Sequence, residues 1–149
     1  MDDQDRGVAK AGASVQRSFR LSARTMKLLD ERARELSESR NSVAERLLDE
    51  GLHTERHPLI VFRTGGSGRR RPALMGTRLY VWQIIDTVRA TGNSVREAAQ
   101  YLALPDHHVQ AVVDYYADFK DEVDEDRAED GEFERRERDR WERSQRVLG

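Results

Sequence analysis

Gln16, Ser18 and Arg20 stand at alternate positions of the stretch VQRSFRL, residues 15–21, and each of the three can read the edge of a nucleic-acid base. Arginine bonds guanine O6 and N7 in a two-pronged contact, glutamine does the same with adenine, and serine bonds to either kind of edge. Val15, Phe19 and Leu21 fall on the opposite side, which is the period-two pattern of a strand with one apolar face. Arg24 follows closely, and Ser42 and Val43 open a later helical pattern whose free N–H groups and positive dipole end suit a phosphate. A second basic group, Arg69, Arg70 and Arg71 with Arg78 beyond, offers a possible second contact to DNA.

Other chemical signals are weak. GGSGRR is glycine-rich but lacks the Lys-Ser/Thr ending and strand-to-helix setting of a phosphate loop. His53 and His57 are four apart, yet Gly51 and Pro58 argue against a continuous helix there, and no third metal ligand is near. His107 and His108 are adjacent and point in different directions on a helix. No serine sits in a nucleophile elbow, and acids are too abundant for a catalytic pair to stand out. The expectation is a protein that is not an enzyme and needs no cofactor or metal.

Composition limits what can position these residues. Of 149 residues, 37% are hydrophobic and 36% charged, so the core is thin and oligomerisation is a natural route to stability. No cysteine is present, which removes disulfides and thiolate metal sites and suits a cytoplasmic protein. MDDQDRGVAKAGAS lacks the apolar segment of a secretory signal. The net charge of −2 conceals segregation: residues 55–100 carry eight arginines against three acids, whereas residues 121–149 carry twelve acids against seven arginines.

The pattern predicts four stretches. Residues 1–14 form a disordered arm. Residues 15–53 give strand, helix and helix: Ser22 caps a helix with Met26, Leu29, Ala33 and Leu36 on one face, and Ser42 with Glu45 forms a capping box for a second helix whose end Gly51 and Pro58 bracket. A strand that has no neighbour in its own chain would pair with a second copy. Residues 57–123 give a strand at Leu59–Phe62, a TGGSG turn, further extended chain with a turn at Gly76, a helix from Val81 to Arg89 and another capped by Ser94 and Glu97. Ala103 takes the place of the usual turn glycine, and Val109, Val112, Val113, Tyr116, Phe119 and Val123 line a long last helix. Residues 124–149 are a charged tail, helical or disordered, in which Phe133, Trp141 and Leu148 share a face as anchors for a partner.

The stretch RSFRLSARTMKLLDERARELSESRNSVAERLLDEGL resembles a ribbon-helix-helix domain of the Arc and MetJ type, with Arg17 departing from its apolar pattern. RRRPALMGTRLYVWQII, GNSVREAAQYLAL and VQAVVDYYADFKDEV are similar to the domain-of-unknown-function family 433, found in antitoxins of VapB type. These resemblances imply a mainly α fold with short β: an intermolecular two-stranded ribbon with two helices, then a hairpin and helix-turn-helix-like domain. They imply a homodimeric antitoxin that represses its own operon through Gln16, Ser18 and Arg20. Its tail would hold a toxin, a nuclease of PIN-like fold. A stand-alone regulator and a pure assembly adaptor are the other readings.

Overall fold

Ser22 opens the first regular element. Its hydroxyl accepts from the Thr25 amide at 3.1 Å, so helix α1, Ala23–Leu36, starts with one orphan donor satisfied. The computed structural model describes residues 13–149, and residues 1–12 of the expected N-terminal arm lie outside the described residues. Ser37 ends α1 in the left-handed conformation, its amide bonded to the last carbonyls.

Helix α2, Arg40–Arg56, begins earlier than its sequence suggests. Ser39, not Ser42, is the cap: its hydroxyl accepts from the Ser42 amide at 3.1 Å. The helix ends at Arg56, between Gly51 and Pro58, but it runs on through Gly51 to His53 where a break was expected. A mid-helix glycine costs only about 1 kcal/mol, and beyond it His53 is buried and Thr54 bonds the Ile60 carbonyl at 3.3 Å.

The strand expected at residues 15–21 does not form. That segment has no regular structure, and Val15, Phe19 and Leu21 are as exposed as Gln16, Ser18 and Arg20. The sheet lies elsewhere: β1, Ile60–Thr64, pairs antiparallel with β2, Arg70–Leu74, with Ile60 opposite Leu74 and Thr64 opposite Arg70. The order is therefore helix, helix, strand, strand and four further helices, which overturns both the ribbon-helix-helix resemblance and the fold class built on it. Alternation tells which side chains share a face, but it provides no neighbour for the backbone. Among the described residues the paired strands are those that the Gly65–Gly68 turn folds back on each other.

The chain divides into two compact units, residues 1–44 and 45–149. The first has a small core of Leu29, Ala33 and Val43, flanked by Leu36 and Ala44, and an Arg40–Asp30 ion pair at 2.5 Å. The second holds the larger core. Its hairpin leads through the left-handed Gly76 to α3, Val81–Ala90; α4, Val95–Leu102, is capped by the Ser94 hydroxyl accepting from the Glu97 amide at 3.1 Å. Helix α5 spans Asp106–Asp118 and α6 spans Lys120–Leu148. Ile60, Leu74, Val81, Ile84, Val109, Val112 and Tyr115 are fully buried. The single long helix expected over Val109–Val123 is instead broken at Phe119, and Tyr115 rather than Tyr116 is the tyrosine fully inside.

Ala103 ends α4 at φ 53, the left-handed position that its sequence context assigns it. A Cβ costs roughly 1–2 kcal/mol there, partly offset by glycine's larger entropy loss. Ala103→Gly is expected to stabilise the second unit by about 0.5–1 kcal/mol, read as a higher urea midpoint with an unchanged slope.

Candidate functional site

The richest chemistry among the described residues gathers where β2 meets α6. Every residue of β2 after Arg70 is buried, and Arg71, the first of them, is wholly so. A buried guanidinium must be paired, and three carboxylates from successive turns of α6 converge on it. Nη1 bonds Asp126, Nη2 donates to Glu129 Oε2 at 3.0 Å, and Asp130 Oδ1 lies 2.8 Å from Nε. That last contact is off the N–H direction, so charge rather than a directed hydrogen bond holds it. Asp130 uses its other oxygen to accept from the Trp82 indole at 2.8 Å. Arg69 pairs with Glu129, and Arg70 makes a two-pronged contact with Glu50 of α2 at 2.7 and 2.8 Å.

One buried cation facing three anions divides the carboxylates. Burial, together with the charge of Asp130, pushes the Asp126 carboxyl up to about 6 against the pull of Arg71. The more exposed Glu129 is held below its usual range by its bond to Arg71. Burial works against the charge on Arg71, but Glu129, Asp126 and Asp130 outweigh it and keep the guanidinium charged.

A second cluster lies around His53, which is 7% exposed. Its ring packs 4.1 Å from Phe119 and meets Phe62 edge-on. Nδ1 donates to the Asp49 carbonyl at 2.6 Å, while Nε2 faces Glu122 at 3.5 Å without a hydrogen bond. His57 bonds Asp118 at 2.8 Å. The Tyr115 hydroxyl is buried without a partner, and burial raises its pKa above the ordinary tyrosine range. No group of three or more metal-ligating side chains occurs among the described residues.

The residues singled out by sequence fall in different places. Gln16, Ser18 and Arg20 are exposed on the irregular segment before α1, and Arg24 is exposed in the first turn of α1. Val43 is buried against Leu29 and Ala33. The amides of Ser42 and Val43 are taken by the Ser39 hydroxyl and carbonyl, each at 3.1 Å. Arg69, Arg70 and Arg71 are spent on carboxylates of the chain itself, while Arg78 is exposed. On α6, Phe133 touches the hairpin turn at Gly66, whereas Trp141 and Leu148 stand 63% and 82% exposed on the far half. The pairs that support that half are Arg136–Glu132 and Arg140–Glu137.

Asp126, Glu129, Asp130, Trp82 and Tyr115 were not anticipated. The spacing of the three acids, which places them on one helical face, was the available signal. No family model, curated protein or solved structure matches the chain. With the topology against a ribbon-helix-helix domain and no family model matching the second stretch, the antitoxin and operator-binding reading loses its structural basis.

An apolar stripe also lies open to a partner. Leu47, Leu48 and Leu52 on α2 are 46%, 58% and 65% exposed. Glu50, His53, Thr54 and His57 secure the opposite side of the same stretch of chain.

Proposed function

We propose that the protein is an assembly module that acts by associating with a second copy of itself rather than by catalysis. The carrying observation is the exposed stripe Leu47, Leu48 and Leu52 on a helix whose other face is firmly anchored. Gly51 lies within the stripe, and nothing beyond its own stretch of helix lies within 4 Å of where its Cβ would be. An antiparallel crossing of two α2 helices centred between Leu48 and Gly51 sets Leu47 against the second copy's Leu52. It also lays Leu48 over the second copy's Gly51, where the missing side chain admits a close approach. The small core of Leu29, Ala33 and Val43 supports the same reading, because helices with so little buried between them gain stability by covering more apolar surface.

An interface centred on one helix per copy is small, below about 1,200 Å² in total, so a concentration-dependent equilibrium is expected rather than a permanent dimer. Sedimentation velocity on the 17.2 kDa chain is expected to show dimers that dissociate on dilution. The double variant Leu48→Glu, Leu52→Glu is expected to remain monomeric throughout with an unchanged circular dichroism spectrum. A wild-type chain that stays monomeric at the highest soluble concentration would sink the proposal.

A further inference from the structure

A cleft of about 180 Å³ opens between the hairpin turn, the start of α3 and the middle of α6. Three aromatic side chains line it, Tyr80, Trp82 and Phe133, together with the carboxylates of Asp130 and Glu134. The floor is glycine for a steric reason. A Cβ on Gly65 would stand 3.3 Å from the Tyr80 hydroxyl, and one on Gly66 would stand 3.3 Å from the Phe133 ring. Neither glycine has a positive φ, so it is the close approach of the rings, not backbone freedom, that favours the absence of a side chain.

The walls are held in place. Asp130 fixes the Trp82 indole through the 2.8 Å hydrogen bond, and Asp130 is itself held by the buried Arg71. Glu134 stands one helical turn further along α6 and has no ion-pair partner among the described residues. Ring faces carry negative potential and attract cations. Tyr80 already shows this within the chain, with the Arg63 guanidinium 5.8 Å from its ring centroid. Several aromatic walls with an unpaired carboxylate at the rim match one ligand chemistry, a bulky organic cation of low hydration.

We propose that this cleft binds a methylated ammonium group, either on a free solute such as choline or on the methylated lysine of a protein. Trp82 and Phe133 would supply ring faces and Glu134 the counter-charge. The site is independent of the α2 stripe.

The chain has two tryptophans, so the full-length Trp141→Phe protein leaves Trp82 as the sole indole reporter. Titration with choline chloride, against sodium chloride at equal ionic strength, is expected to give a saturable change in Trp82 emission. The neutral isostere 3,3-dimethylbutan-1-ol is expected to bind about tenfold more weakly, since it has the shape without the charge. Phe133→Ala and Glu134→Gln are each expected to weaken choline binding severalfold, Glu134→Gln without a change in the thermal midpoint. A trimethyllysine peptide that binds more tightly than choline assigns the cation to a protein partner; equal or weaker binding assigns it to a free solute. Absence of saturation, equal binding of the neutral isostere, or wild-type affinity in both variants would overturn the proposal.

Discussion

Arg71→Leu is expected to destabilise the second unit by about 3–5 kcal/mol, the largest effect of any single substitution considered. The size follows from what remains rather than from what is removed. Leucine fills much of the space of the arginine stem, but Asp126 and Asp130, with side chains only 15% and 16% exposed, are left without their cation. An unpaired buried carboxylate must take up a proton, recruit water or drive the helix away from the hairpin. Urea unfolding at pH 7 followed by tryptophan emission measures the loss, because Trp82 is bonded to a member of the cluster. The deficit is expected to shrink at pH 4–5, where protonation removes the unpaired charges. A midpoint equal to that of wild type at pH 7 would show that the cluster contributes nothing.

The same cluster sets an unusual dependence on pH. Asp126 titrates near 6 in the folded chain against an ordinary 3.8, so between these values the folded state binds more protons than the unfolded one. Stability from this group therefore falls as pH rises from about 4 to about 6, with a slope of at most about 1.4 kcal/mol per pH unit. Glu129 acts in the opposite sense and in a lower window. Its carboxyl is held below 4.5, so its contribution is present above that value and is lost as pH falls through its folded pKa. Together they place the stability maximum of the second unit at the acid end of the Asp126 window, close to about pH 4. Asp126→Asn removes the falling limb and moves the maximum toward neutrality. Urea midpoints from pH 4 to 8 for both proteins test this, and parallel profiles would refute it.

Legibility differed from element to element for physical reasons. Ser22 and Ser94 were readable as caps because a hydroxyl three residues before an amide is a local interaction. The face Met26, Leu29, Ala33 and Leu36 was readable because helical spacing is a property of one segment alone. The segment at residues 15–21 misled because its alternation carries no information about a pairing partner, and the expected break before His53 did not occur because tertiary anchoring at Glu50, His53 and Thr54 outweighs the helix propensity of Gly51.

Arg71 was the deepest misreading. In sequence it is one of three consecutive arginines and looks like surface charge. Its burial depends on acids 55 and 58 residues away, in a segment whose composition resembled an unstructured tail. The candidate cleft was equally hidden, since its walls come from a turn, a helix start and that same segment.

That separation also bears on how the chain folds. The turn, the caps and the short helices close small loops and can form early, whereas joining β2 to α6 closes a loop of more than fifty residues, an entropic cost met late. On that order Arg71→Leu is expected to speed unfolding far more than it slows refolding, which stopped-flow rates in urea measure. The ion cluster is thus expected to act as a latch rather than a nucleus, setting how long the native state persists more than how fast it is reached.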